Sequence, residues 1–118
     1  MNRHRYDPER AEALLPLLGS ITREIRERSQ AIDRLEQDCL RLRRTRTDRQ
    51  RRSDSEAELA VHRRELRVAQ RELERLGCAL DDDHPLRVLI PGADGELEHG
   101  WAWDPRDGTL ESFELASR

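Results

Sequence analysis

At 118 residues the chain is the size of one domain, but 40% charged and only 3% aromatic side chains cannot fill a wide globular core. All 22 basic residues are Arg, set against 25 acids for a net charge of −3, so the chain as a whole is not a basic nucleic-acid binder. No apolar run approaches the ~20 residues that span a bilayer, which excludes a membrane helix.

The opening Met1–Arg10 is polar and lacks the apolar run of a signal peptide, so the expected compartment is the cytoplasm. There Cys39 and Cys78 are expected as free thiols. Asp7-Pro8-Glu9 is a helix start: Asp7 caps, Pro8 suits the first helical position, and Glu9 faces the positive end of the dipole. From Leu14 the apolar residues advance in steps of four and three through Leu18, Ile21, Ile25, Ile32, Leu35, Cys39 and Leu42, with Arg28 filling the one interrupted position. That spacing makes a seam on one helix face. Pro16 and Gly19 fall inside this helix, and a bend is expected near them.

A second series, Leu59, His62, Leu66, Ala69, Leu73, Leu76 and Leu80, is one residue out of phase with the first. One residue is about 100° around a helix, so a single unbroken helix would lose its stripe. A turn near Arg49–Ser53 restores it, with Ser53-Asp54-Ser55-Glu56 read as a capping box for the second helix and Gly77 as its C-terminal cap. The predicted helices cover about 8–48 and 53–76 within a hairpin of residues 1–80. The first is the longer, so residues 8–25 overhang the second and carry Leu14, Leu15, Leu17, Leu18, Ile21 and Ile25 on a broad apolar stripe that must be covered.

Residues 81–118 predict a small acidic unit of three strands: Leu86–Ile90, Leu97–Trp103 and Thr109–Leu115. Asp94-Gly95 and Asp104–Gly108 form the turns. Such a unit is too small to fold alone and is expected to rest on the overhang. The predicted fold is therefore mainly α, a long antiparallel two-helix hairpin of coiled-coil type with a small C-terminal three-stranded antiparallel meander.

The charge is bipolar. Residues 41–52 hold seven Arg and one Asp, net +6, while residues 78–118 hold ten acids against three Arg, net −7. Arg43, Arg44, Arg51 and Arg52 at the tip are candidates for contact with phosphates. The plainer reading is a solvated tip paired with acids, because no aromatic is interleaved to stack on bases, and nucleic acid is disfavoured. Asp81, Asp82, Asp83 and His84 are the candidate hard-metal ligands, with His99 and Asp104 able to join them, although their spacing matches no known metal loop. His62 on the seam is expected to hydrogen-bond across the hairpin, and Arg28 to snorkel out or pair with Glu72 or Glu74. Trp101 and Trp103 anchor the sheet or, on the alternative reading, stack a ligand. Neither a phosphate loop nor a catalytic triad is present, and no cofactor is implied.

Tyr6 through Ala13-Leu14-Leu15-Pro16, Gly77 with Asp81–Asp83, and Ile90-Pro91 with Trp101 resemble a bacterial family known as domain of unknown function 2203. The resemblance covers nearly the whole chain in layout and bears on fold more than on function. Members carry a Cys-Trp pair, a Gly-Glu step and a Trp-His pair near the end. Here Gly100 and Ala102 precede the Trp residues, Thr109 follows Gly108, and Ser112-Phe113-Glu114 stands near the Trp-His position. If those groups form a site in the family, this chain lacks its thiol and imidazole.

The sequence thus predicts a non-enzymatic interaction or scaffold protein that forms a homodimer through its hairpin, using Leu14, Leu18, Ile21 and Ile25 together with the free flank of the seam at Val61 and Val68; another protein is the alternative partner. The alternatives are a metal-dependent or ligand-binding protein built on the acidic segment and the Trp strand, and a nucleic-acid contact at the Arg tip.

Overall fold

A computed structural model describes residues 4–45, 49–84 and 86–113. Helix α1 spans Pro8–Thr45 and helix α2 spans Arg49–Arg75. A four-stranded antiparallel sheet follows: β1 (Ala79–Leu80), β2 (Val88–Ile90), β3 (Trp101–Asp104) and β4 (Thr109–Ser112), in that spatial order. No described helix is long and apolar enough to cross a membrane.

The start of α1 follows the expected cap: the Arg10 amide donates to Asp7 Oδ1 at 2.8 Å. The helix continues through Pro16 to Thr45, whereas the sequence predicts it to about 48, and residues 46–48 lie outside the described residues. The start of α2 corrects the predicted turn. It begins at Arg49, so Ser53–Glu56 is helix interior and no capping box starts the helix there. The phase shift between the seams needs only a short break, and Arg49–Arg52 are good helix formers that extend α2 towards the tip. Gly77 ends it as expected, at φ 78°. The Gly77 amide donates to the Glu74 carbonyl at 2.9 Å and the Cys78 amide to Leu73 at 3.2 Å, the paired bonds of a Schellman cap.

The chain divides into two compact units. Residues 22–70 form the hairpin unit, where the two helices pack along the predicted seam. Its core is Ile32, Leu35, Cys39 and Leu59, with Leu66 packed against them. Arg28 does not reach Glu72 or Glu74. Its Nε donates to Glu24 at 2.7 Å and its Nη1 to His62 Nδ1 at 3.0 Å. A guanidinium only donates, so His62 accepts on Nδ1 and carries its proton on Nε2. The seam histidine bonds across the hairpin, as expected.

The other unit joins the chain up to Ile21 with the chain from Arg71 onward. The sheet in it has one strand more than predicted. Ala79–Leu80 pairs with Leu89 and Val88 immediately after the Gly77 cap. Leu97–His99 is a 3-10 turn, so β3 starts only at Trp101. Register sets Val88 opposite Trp103 and Ile90 opposite Trp101, which places all four on one face. All three residues of β2 are buried, not alternate ones, so this central strand is covered on both faces. The tip of the Trp103 ring lies 3.5 Å from where a Cβ on Gly19 would stand, which seats the Trp face of the sheet against α1. Leu18 is fully buried there and Ile21 nearly so.

The chain ahead of α1 is tied into this unit. Trp101 Nε1 donates to the Tyr6 carbonyl at 3.1 Å, the Tyr6 hydroxyl donates to the Leu76 carbonyl at 2.8 Å, and the Tyr6 amide donates to Gly92 at 3.2 Å.

Candidate functional site

The acidic segment is the first candidate. Asp81 is only 5% exposed, and both its oxygens are taken. Arg87 Nε donates to Oδ2 at 2.9 Å, Arg87 Nη2 donates to the same oxygen, and the Asp83 amide donates to Oδ1 at 3.0 Å. Burial pushes the Asp81 carboxyl up, but the Arg87 bonds, the Asp83 amide and the nearby charges of Arg87 and His84 outweigh it and hold it below its ordinary value. Asp82, Asp83 and His84 are exposed. His99 is occupied by Asp94 at 2.8 Å and Asp104 by Arg106 at 2.8 Å. Among the described residues no group of three or more His, Cys, Asp or Glu side chains comes together as a metal-ligand set. His84 and Asp104 do line one cleft of about 180 Å³, but with Arg87 and Arg106, whose charge opposes a hard cation.

Asp81 therefore gives a stability prediction. Its folded pKa is depressed, so its contribution is complete above the ordinary value of 3.8 and is lost as pH falls through that range. Asp81→Asn is expected to cost about 2 kcal/mol at neutral pH, less than a fully buried pair because Arg87 keeps some contact with water. Urea midpoints measured from pH 6 down to pH 3 check this: the gap between wild type and variant should hold above about pH 5 and narrow towards the acid end. A constant gap between them would rule out the Arg87 pair as the cause.

The thiols offer no nucleophile. Both are free and buried, and burial pushes the Cys78 thiol up to about 12. Trp101 is bonded to the Tyr6 carbonyl and Trp103 is buried on the sheet face that meets α1.

Arg43 at the tip reaches Glu56 at 3.7 Å, and Arg41 reaches Asp38 at 3.3 Å. The first turn of α2 holds Arg49, Arg51 and Arg52 and no acid, which sets positive charge against the positive end of the helix dipole. Arg46 and Asp48 lie outside the described residues.

Leu18, Ile21 and Ile25 are buried within the single chain, and Leu14 is half-buried. Of the stripe only Leu17 is fully exposed. The C-terminal unit rests on the overhang as expected, and Leu18, Ile21 and Ile25 are already covered by the chain itself.

Exposed apolar surface lies on the hairpin unit as well, including the expected free flank of the seam. Leu40 on α1 is 55% exposed, and Val61 and Val68 on α2 are exposed as well. Leu40 borders a cleft of about 390 Å³ between α1 and α2. Cys39 and Leu59 form its buried floor, and Glu36, Arg43, Glu56 and Arg63 form its rim. The rim residues pair across the helices, Arg63 with Glu36 at 2.8 Å and Arg43 with Glu56 at 3.7 Å. The cleft follows from helical spacing, since positions 36, 40 and 43 share one flank of the α1 seam while 56 and 63 share the facing flank of α2. Sequence reasoning missed it. The available signal was Leu40 itself, a large apolar residue outside the seam in a strongly charged stretch.

The sequence model of one family, described as Uncharacterized conserved protein (DUF2203), matches residues 4–110. The chain belongs to that family. The match takes in both helices and the sheet as far as β4, which agrees with the resemblance seen in Tyr6, the Leu-Pro step and Ile90-Pro91. No curated protein and no solved structure matches the chain. The family assigns no activity, so the reading of function rests on the surfaces described above.

Proposed function

We propose that the chain is a non-enzymatic cytoplasmic interaction protein that self-associates through its helical hairpin. The observation that carries this is Leu40, a large apolar side chain 55% exposed beside an apolar-floored cleft. Covering the exposed half of such a Leu is worth roughly 1–1.5 kcal/mol, and a two-fold dimer covers two at once, which begins to offset the cost of association. Two free, buried thiols suit a reducing compartment.

The competing readings have less behind them. A metal site on the acidic segment must take Asp81 from Arg87, and a phosphate contact at the tip must draw Arg43 from Glu56.

Light scattering at micromolar concentration tests the proposal. Wild type is expected near twice the chain mass of 13.9 kDa. Leu40→Glu is expected to return it to a single chain mass with its helical circular dichroism intact, because the side chain faces water in the monomer. A wild-type mass of one chain at every concentration measured would sink the proposal.

A further inference from the structure

We infer that the partner seated on the Leu40 cleft is the same cleft of a second copy of this chain, docked about a two-fold axis and held in register by its own rim charges. This rests on the self-association proposed above and goes further by naming the surface and its complement.

The order of the charges specifies the partner. Along α1 the rim reads Glu36 then Arg43, and along the antiparallel α2 it reads Arg63 beside Glu36 and Glu56 beside Arg43. Seven residues separate the two charges on each helix, about 10.5 Å. The four charges thus form a checkerboard of alternating sign around an apolar centre, with no net charge. Such a pattern is its own complement. A two-fold axis running along the groove lays α1 of one copy over α2 of the other, so Glu36 meets Arg63 of the second copy and Arg43 meets Glu56 of the second copy. An axis running across the groove lays α1 on α1 in opposite directions, so Glu36 meets Arg43 of the second copy and Arg63 meets Glu56 of the second copy. Every rim contact is attractive in either case.

A partner of uniform sign, such as a polyanion or an acidic peptide, meets as much repulsion as attraction on this rim. A slip by one rim position sets like charges together, so the pattern also fixes register. Leu40 of each copy then covers the floor of the other.

Two variants test the checkerboard. Glu36→Arg with Glu56→Arg makes the rim wholly positive, and Arg43→Glu with Arg63→Glu makes it wholly negative. All four side chains are exposed, so each variant is expected to keep its helical signal. Native mass spectrometry should find each variant alone at a single chain mass and their equal mixture at the mass of a mixed pair. This recovery on mixing is an outcome that mere damage to the fold cannot produce. If both variants alone stay at the wild-type dimer mass while Leu40→Glu dissociates, self-association stands and the charge-matched cleft is overturned. Variants that separate but do not pair on mixing overturn it as well. A wild type that is itself a single chain removes the self-association reading, and this inference with it.

Discussion

Gly100→Ala is expected to abolish the folded sheet, with a loss of more than about 4 kcal/mol, which is a large share of the roughly 5–15 kcal/mol that stabilises a typical domain. The reason is a close approach of two backbones. A Cβ on Gly100 would stand 1.8 Å from the Ile90 carbonyl oxygen and 2.8 Å from the Gly92 nitrogen. No side-chain rotation relieves that overlap, because both atoms belong to main chain. The Gly100 carbonyl also accepts the Phe113 amide at 2.8 Å, so shifting Gly100 disturbs the chain beyond β4 too. Relief requires β2 and β3 to part at the end where Ile90 pairs with Trp101.

Gly108→Ala is the control. Gly108 lies at φ 73° with nothing within 4 Å of the position of a Cβ, so only backbone strain of about 1–2 kcal/mol is expected. Urea unfolding followed by the fluorescence of Trp101 and Trp103 distinguishes the two. Equal losses at both glycines would reject the steric account.

What the sequence made legible were the features set by local rules. The Asp7 cap, the four-and-three seam and the Gly77 cap each depend on residues within a turn of one another, and each is where it was expected. The turn between the helices was misplaced because Ser53–Glu56 fits a capping pattern that an interior helix segment can also carry. Strand β1 was missed because two residues directly after a helix cap leave no periodicity to read. Period-two patterning extends the predicted strand back to Leu97 because it does not distinguish a strand from a 3-10 turn that precedes one.

The candidate sites were the harder part, because each depends on a pairing distant from the motif. Asp81 looks like the head of a metal-binding triplet until Arg87, six residues away, is found holding it. The apolar stripe from Leu14 to Ile25 looks open when the helices are measured against each other. The Trp face of the sheet, which meets α1 at Gly19, supplies the cover expected of the C-terminal unit, and helix lengths alone do not show how far that cover extends. The surface left exposed is then set by what the sheet and seam do not use, and Leu40 belongs to neither.

Trp103 yields a prediction in which the order of two substitutions matters more than either magnitude. Trp103 is 7% exposed, opposite Val88 on β2 and Leu110 on β4. Trp103→Ala removes one of the two largest side chains of the sheet and leaves a void against α1, an expected loss of about 3–5 kcal/mol. Trp103 Nε1, however, is buried with no hydrogen-bond partner among the described residues. A buried N–H left unpaired costs roughly 1–3 kcal/mol, and phenylalanine removes that N–H while keeping a ring. The smaller ring gives up some packing, so Trp103→Phe is expected to fall within about 1 kcal/mol of wild type, the lost contacts set against the relieved donor. Trp101 should behave in the opposite way. Its Nε1 donates to the Tyr6 carbonyl, so Trp101→Phe gives up a bond that ties down the chain ahead of α1. Urea midpoints for the three variants test this ranking. If Trp103→Phe proves as damaging as Trp103→Ala, then Nε1 is bonded in solution and the ring is held by its donor as well as by its volume.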